Sequence, residues 1–351
     1  MYLWDYLRNC DRPIVLYGMG NGGDKIFELA EQNHVSISGV FASDDHAGGQ
    51  LFHGYSVVSF SEILKEFPDP VILLAFGTER PELISHIRSL AEKYTVLAPD
   101  LPLCGGKHIS PNYMETEKDR IETARRLMAD DISVRVFDDL LEFKLSGDLR
   151  PLFRCETPQR EGFDLLNLDN KEAYLDLGAF TGDTIESFLC LTDGQYTSID
   201  AFEPDNRNFK RLSANTEHLQ NITLHPYASW HEDAVLTFTG KGGRNVGILT
   251  DVAGKKMHIH QVEAKSVDSL KKDFTFVKMD VEGAEAETLW GMRETLFRCH
   301  PKLQISAYHK TDDFITLPLL LEKICPGYKI YLRHHPSLPA WEIQMYCIYH
   351  H

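Results

Sequence analysis

The segment Asp176-Leu-Gly-Ala-Phe-Thr-Gly-Asp183 decides the fold of the carboxyl-terminal half of this chain. It overlaps the end of the mostly apolar run 173–177 and precedes a helical pattern. We therefore expect a buried strand, a tight turn and a helix in succession. Small residues in the turn let a ligand approach the backbone closely. Because ligands of parallel α/β sheets bind at the carboxyl ends of strands, this turn is a candidate binding loop.

Acidic residues around this turn indicate what kind of ligand it would take. Asp176 and Asp183 on either side do not suit a phosphate group, whereas a ligand with a cationic centre and an amino group suits both, and S-adenosylmethionine (SAM) carries the two. Glu203 ends the next predicted strand, 27 residues after Asp176, in Ala201-Phe-Glu-Pro-Asp205. A carboxylate there can accept hydrogen bonds from ribose hydroxyls. Alone, Asp176 could equally be a helix cap and Glu203 a surface acid.

A third strand end carries carboxylates in Phe276-Val-Lys-Met-Asp-Val-Glu-Gly-Ala-Glu285. A predicted buried strand ends here at Asp280 and Glu282, and Gly283 begins a helical pattern. Carboxyl ends of parallel strands meet at one edge of a sheet, so we expect the three acidic strand ends to form one constellation.

With these motifs the sequence resembles the FkbM family of SAM-dependent O-methyltransferases. The resemblance covers roughly residues 172–349 and includes Ser266-Val-Asp-Ser-Leu270 beside the three segments above. It implies a class I, seven-stranded, Rossmann-like methyltransferase fold with SAM as cofactor. It also implies methyl transfer to a hydroxyl, with a small-molecule or glycan acceptor such as a sugar or polysaccharide precursor.

The resemblance also implies which residues contact SAM. They lie in the glycine-rich turn, at the end of the next strand, in a segment that borders adenine in this fold, and in the motif at 276–285. These positions are Asp176, Gly178, Ala179, Phe180, Gly182, Asp183, Glu203, Pro204, Ala228, Ser229, Asp280 and Glu282.

His309 is our predicted general base, because it follows the strand predicted at 302–307, whose end should flank the SAM methyl group. The unperturbed imidazole pKa of about 6.5 would leave it largely neutral and able to accept a proton. Asp280 competes for this role, although it could instead bind the SAM amino group or a second acceptor hydroxyl. A histidine that only caps the following helix is the structural alternative.

The chain of 351 residues is long enough for two domains. Strand–helix alternation in both halves predicts an α/β protein: a Rossmann-like domain over 1–105, a helical linker over 106–165, and the methyltransferase domain over 166–351. Consecutive strands at the end of the chain predict an antiparallel edge on the otherwise parallel sheet.

The amino-terminal motif Gly18-Met-Gly-Asn-Gly-Gly23, with the acidic pair Asp44-Asp45 after the second predicted strand, is also typical of dinucleotide binding. An NAD-dependent oxidoreductase is therefore a rival function, and a non-catalytic interaction module that keeps the SAM fold is another. Only about four strands are predicted here, half of a dinucleotide fold. We therefore favour a scaffold, through which the chain could form homo-oligomers.

The net charge of −16, from 36 basic and 52 acidic residues, argues against a nucleic-acid partner. No apolar run is long enough to cross a membrane. Scattered cysteines without a Cys-x-x-Cys pair predict reduced thiols and a cytoplasmic protein. His258-Ile-His260 and His334-His335 lack further ligands at metal-binding spacing, so we predict no metal site.

Overall fold

The computed structural model describes residues 1–43, 46–101, 103–239, 247–248 and 259–350. The predicted α/β class is confirmed, with parallel-rich sheets covered by helices. Within the described part of the chain, no helix combines the length and apolar character that crossing a bilayer requires.

The amino-terminal part is built on a sheet of order β3-β4-β2-β1-β5-β6. It has six strands among the described residues instead of the expected four, because β3 and β4 form a short hairpin that the sequence patterns did not reveal. Its strands are β1 (Ile14–Tyr17), β2 (Gly39–Ala42), β3 (Leu51–Phe52), β4 (Tyr55–Ser59), β5 (Val71–Leu74) and β6 (Thr95–Leu97). Its helices are α1 (Leu3–Arg8), α2 (Asn21–Gln32), α3 (Phe60–Glu66) and α4 (Pro81–Lys93).

Helices follow one another between the two sheets, where the sequence predicts a helical segment. They are α5 (Pro111–Thr116), α6 (Lys118–Arg126), α7 (Asp131–Ser146), α8 (Arg150–Cys155) and α9 (Gln159–Leu166). Backbone hydrogen bonds attach this segment to a later strand: the amide of Ala129 donates to the carbonyl of Ile330, and the amide of Thr157 donates to the carbonyl of His334. Helices α7, α8 and α9 therefore pack on the carboxyl-terminal sheet.

The carboxyl-terminal sheet has the order β16-β17-β15-β14-β7-β8-β9. Its strands are β7 (Ala173–Leu177), β8 (Ser198–Phe202), β9 (Ile222–His225), β14 (Phe276–Met279), β15 (Lys302–Ser306), β16 (Tyr328–His334) and β17 (Ile343–Tyr349). The first five are parallel, and β17 runs antiparallel to both β15 and β16. The predicted antiparallel edge is confirmed.

Further elements complete this part. Its helices are α10 (Asp183–Leu191), α11 (Asn206–Thr216), α12 (Glu285–Gly291), α13 (Arg293–Cys299) and α14 (Asp313–Ile324). A second sheet contains β10 (Ala228–Ser229), β11 (Ala234–Thr239), β12 (Gly247–Ile248) and β13 (Ile259–Lys265). One helix predicted over 284–297 is two, because the helical hydrogen bonding is interrupted at Met292.

The amino-terminal part contacts the carboxyl ends of the larger sheet. Thr78 and Leu338 exchange two backbone hydrogen bonds, of 2.7 and 2.9 Å. The amide of Cys104 donates to the carbonyl of His309 at 3.0 Å. The loops after β5 and β6 therefore lie against the edge where the predicted site residues are found.

Candidate functional site

The glycine-rich turn after β7 lies tightly between its two neighbouring strands. The amides of Gly178 and Ala179 donate to the carbonyl of Phe202, at the end of β8. On the other side, a Cβ atom on Gly178 would lie 1.9 Å from the carbonyl oxygen of Asp280. The φ angle of Gly178 is +85°, a conformation that L residues rarely adopt. Only glycine fits this turn.

Asp176 is fully buried at the end of β7. Its carboxylate accepts a hydrogen bond from the Thr184 hydroxyl and lies 3.6 Å from the ammonium of Lys278. Burial raises the pKa of Asp176, an effect that Lys278 and Thr184 oppose. Lys278, also buried, donates to the carbonyl of Gly178 at 3.2 Å. This lysine therefore supplies the positive charge beneath the turn.

The outer part of the turn is exposed and has an unusual backbone. Phe180 adopts φ +47° with 52% of its surface exposed, and Gly182 adopts φ +97° as the residue before α10. Asp183 is the first residue of α10 and is exposed. Strained backbone with an exposed aromatic ring is typical of a ligand-binding loop.

Glu203 lies at the end of β8, 6% exposed, beside the half-buried Pro204. The amide of Asp205 donates to its carboxylate at 2.8 Å, and the Phe180 amide is a second donor. Burial, opposed by these amides, raises the pKa of Glu203 to about 7. The carboxylate is thus held directly beside the glycine-rich turn.

Ala228 and Ser229 form the short strand β10. Ser229 is 4% exposed, and its hydroxyl lies 2.9 Å from the hydroxyl of Thr288 in α12. The side chain of Ser229 is thus engaged within the protein, so any contact of Ser229 with adenine would come from its backbone.

His309 lies at the centre of a cluster of carboxylates after β15, with 1% of its surface exposed. Its Nδ1 is 2.9 Å from Oε1 of Glu285, which is also 1% exposed. Its Nε2 is 3.4 Å from Oδ1 of Asp280 and 3.5 Å from Oε2 of Glu282. The side chains of Asp280 and Glu282 are 32% and 51% exposed, so the Nε2 side faces the accessible edge.

This environment changes the expected charge of His309. Burial alone would lower the imidazole pKa, but the carboxylates of Glu285, Asp280 and Glu282 outweigh it and raise the pKa to about 10. An unperturbed histidine at this position would be largely neutral, whereas in the structure the raised pKa favours a protonated ring at neutral pH. The expectation assumed an unperturbed imidazole, whereas the surrounding charges come from residues distant in sequence.

Sequence patterns did not single out two side chains of the site, Lys278 and Glu285, although both lie in the motif at 276–285. Lys278 is a lysine within an apolar strand, which signals a buried partner such as Asp176. Glu285 begins α12, and its Oε1 accepts hydrogen bonds from the amides of Val281 and Gly283. The sequence signal for Glu285 is its position three residues after Glu282, because the turn between them brings both carboxylates to His309.

The glycines of the amino-terminal motif serve close packing as well as turn geometry. A Cβ on Gly22 would lie 2.0 Å from the carbonyl oxygen of Ala75, and one on Gly23 would lie 2.8 Å from Phe52. Gly20 has open space around it and φ +91°. Asp44, Asp45 and His258 lie outside the described residues. His334 and His335 are buried, as packed histidines.

A seven-stranded sheet with this strand order, a glycine-rich turn after its first strand and an acidic residue after its second defines a class I methyltransferase domain. Comparison with solved structures agrees. The chain is similar to the crystal structure of methyltransferase FkbM from Methylobacillus flagellatus KT, with 22% identity and a TM-score of 0.70. The match covers 97% of this chain and 91% of that one, so the similarity of fold includes the amino-terminal part.

Two other structures match the chain over a shorter range. An rRNA methylase from Streptococcus thermophilus is 14% identical, covers 56% of this chain and 98% of its own, and has a TM-score of 0.37. A precorrin-6y C5,15-methyltransferase from Geobacter metallireducens GS-15 is 14% identical, with coverages of 54% and 86% and a TM-score of 0.35. Among curated proteins, none matches the sequence significantly.

The family model of the methyltransferase FkbM domain matches residues 176–332. Residues 176–332 therefore contain a methyltransferase FkbM domain, and the chain is a SAM-dependent methyltransferase.

Proposed function

We propose that the chain transfers the methyl group of SAM to a hydroxyl group of a sugar or glycan precursor. The observation that carries this proposal is the cluster of His309, Asp280 and Glu282 beside the glycine-rich turn. Carboxylates and imidazole hydrogen-bond to hydroxyl groups and can accept their protons. The acidic edge also suits an uncharged polyol better than a phosphorylated polymer, in line with the net charge of −16.

The reaction requires three atoms in line. A lone pair of the acceptor oxygen attacks the methyl carbon, the carbon–sulfur bond breaks with its electron pair going to sulfur, and S-adenosylhomocysteine leaves. The hydroxyl proton passes to a base at the site. Because no covalent intermediate is needed, the main contribution of the protein is to align the reactants and exclude water.

The carboxyl ends of β7 and β8 would bind SAM in this proposal. Glu203 would accept hydrogen bonds from the ribose hydroxyls, and the exposed ring of Phe180 would cover part of the cofactor. Asp183 would face the amino group or the sulfonium. Support comes from the geometry of the turn, where Gly178 and Gly182 adopt positive φ angles and the amide of Phe180 holds Glu203 in place.

The proton acceptor remains a prediction with two candidates. His309 is proposed because it follows β15, although the carboxylates around it favour the protonated ring. Asp280 lies 3.4 Å from Nε2 of His309, is more exposed, and is the competitor. Replacement of each residue separately distinguishes them.

The amino-terminal part is proposed as a scaffold through which copies of the chain associate. The packing of Gly22 and Gly23 supports this role, because glycine there is explained without a nucleotide. All seven cysteines are free, which agrees with the proposed cytoplasmic location. We also propose that the amino-terminal domain ends at residue 105 and that the helical linker ends at residue 165.

Thermal shift of the purified chain with SAM and with NAD separates the three functions. A methyltransferase is stabilised by SAM and an oxidoreductase by NAD, since a ligand that binds only the native state raises its stability. A non-catalytic module would respond to neither. Incubation with labelled SAM and a panel of sugars and glycan precursors then identifies the acceptor. Stabilisation by NAD alone would contradict the proposed function.

A further inference from the structure

Lys278 is a buried lysine that contacts both parts of the site. Its ammonium donates to the carbonyl of Gly178 at 3.2 Å, and it lies 3.6 Å from Oδ1 of Asp176 and 3.8 Å from Oδ2 of Asp280. An ammonium has three protons to donate, so one can point toward each of these oxygens. One side chain therefore joins the turn proposed to bind SAM to a carboxylate proposed to contact the acceptor.

The geometry around Lys278 differs from that of a simple buried ion pair. Lys302, the first residue of β15, gives the comparison, because its ammonium lies 2.7 Å from a carboxylate oxygen of the buried Glu172. Charge-assisted hydrogen bonds normally have lengths of about 2.7–2.9 Å. Oδ1 of Asp176, by contrast, is buried without a hydrogen-bond partner among the described residues. The ammonium of Lys278 thus lies between Asp176 and Asp280 instead of forming a close pair with the buried carboxylate.

The carboxylate of Asp280 lies between two cations. Its Oδ2 faces the ammonium of Lys278, and its Oδ1 is 3.4 Å from Nε2 of His309, whose raised pKa favours the protonated ring. Burial alone would lower the pKa of Lys278, but the carboxylates of Asp176 and Asp280 outweigh it and raise the pKa, so the ammonium stays charged. A cation at each oxygen restricts the orientation of a carboxylate that is still 32% exposed.

We propose that Lys278 is a positioning residue, which holds the carboxylate of Asp280 at a fixed distance from the SAM turn so that Asp280 contacts the acceptor hydroxyl. Methyl transfer depends on such alignment, because a displacement of about 1 Å can slow a reaction about 100-fold. Lys278 itself does not touch the reactants, since its side chain is only 8% exposed. This role rests on the proposed function, in which Asp280 lies at the acceptor.

Steady-state kinetics of full-chain variants, with SAM and an acceptor from the sugar and glycan panel, test the proposal. Lys278→Met alone leaves Asp176 charged and buried without its cation, which is strongly destabilising. The informative comparison is therefore Asp176→Asn against the double variant Asp176→Asn/Lys278→Met, in which both charges of the pair are removed. Adding Lys278→Met should lower kcat about 10- to 100-fold while SAM affinity stays within about twofold. The melting temperature should not fall further.

Lys302→Met is the matched control. It also removes a cation from a buried carboxylate, but at the amino ends of β14 and β15, away from the site. We expect a lower melting temperature with unchanged kcat and unchanged SAM affinity. A merely structural role for Lys278 would produce the same result as this control.

Equal kcat in Asp176→Asn and in the double variant would overturn the proposal, because Lys278 would then only compensate the charge of Asp176. A loss confined to SAM affinity, with kcat kept at saturating SAM, would also overturn it and would assign Lys278 to the SAM turn alone. Absence of transfer to any acceptor of the panel by the parent chain would instead contradict the proposed function, so the two failures are distinguishable.

Discussion

A Cβ atom on Gly178 would lie 1.9 Å from the carbonyl oxygen of Asp280. This contact joins the turn proposed to bind SAM to the strand end proposed to bind the acceptor. Because a carbonyl oxygen in the backbone cannot move away as a flexible side chain can, the spacing of the two ligands depends on a residue without a side chain at position 178.

Gly178→Ala should therefore weaken SAM binding and lower the stability of the domain. The added methyl group collides with backbone, and a left-handed conformation alone costs an alanine roughly 1–2 kcal/mol. Gly194→Ala is the control, since Gly194 has φ +71° but nothing within 4 Å of its Cβ position. Chemical denaturation and SAM titration should show a larger loss for Gly178→Ala. Equal effects of the two variants would mean that the contact with Asp280 is unimportant.

Glu203→Ala should lower the affinity for SAM at least about tenfold while the fold is retained, because hydrogen bonds to a charged group contribute about 1.5–3 kcal/mol each. Glu217→Gln, an exposed substitution beyond the end of α11, is a control that should leave affinity unchanged. Calorimetry is the measurement. Unchanged affinity in Glu203→Ala would show that the ribose is bound elsewhere.

The affinity for SAM should rise as the pH increases from 6 to 8. Burial raises the pKa of Glu203 to about 7, so the side chain is largely protonated below that pH and ionised above it. The ionised carboxylate is the better acceptor for ribose hydroxyls, so binding favours proton release. Titrations across this range should show the rise in the parent chain and a flat profile in Glu203→Gln. A rise of equal size in both proteins would exclude Glu203 as its source.

Loss of the proton acceptor should reduce turnover by about 10²–10⁴ while SAM affinity stays within about twofold. His309→Ala and Asp280→Asn are to be compared in steady-state assays with an acceptor from the panel. If Asp280→Asn abolishes turnover while His309→Ala keeps most of it, the prediction of His309 as base is wrong.

Gly20→Ala tests the amino-terminal scaffold. The φ angle of +91° makes the substitution unfavourable, although no atom lies near its Cβ position, so we expect a lower melting temperature with unchanged SAM affinity. Calorimetry with NAD and with nucleotide sugars completes the test. A saturable signal that this substitution removes would replace the scaffold by a nucleotide site.

Much of this architecture was predictable because strand ends carry local signals. Three segments, at Asp176, Glu203 and Asp280, each show a strand pattern followed by residues suited to ligand binding. In the structure they follow adjacent parallel strands. The edge formed by β16 and β17 was likewise expected, since two apolar runs follow one another at the end of the chain.

Other features depend on contacts that no local pattern contains. The charge of His309 is set by carboxylates 24 to 29 residues earlier, at positions 285 and 280, which meet it only in the folded sheet. The contact of Cys104 with His309 joins residues more than 200 positions apart. The hairpin of β3 and β4 was missed because its first strand has only two residues.

Transfer of a ¹³C-labelled methyl group from SAM, followed by nuclear magnetic resonance of the product, tests the central claim most directly. With an acceptor from the sugar and glycan panel, we expect a new methyl ether carbon and an equal amount of S-adenosylhomocysteine. A label found on nitrogen or carbon, or no transfer to any hydroxylated acceptor by a chain that binds SAM, would contradict methyl transfer to a hydroxyl group.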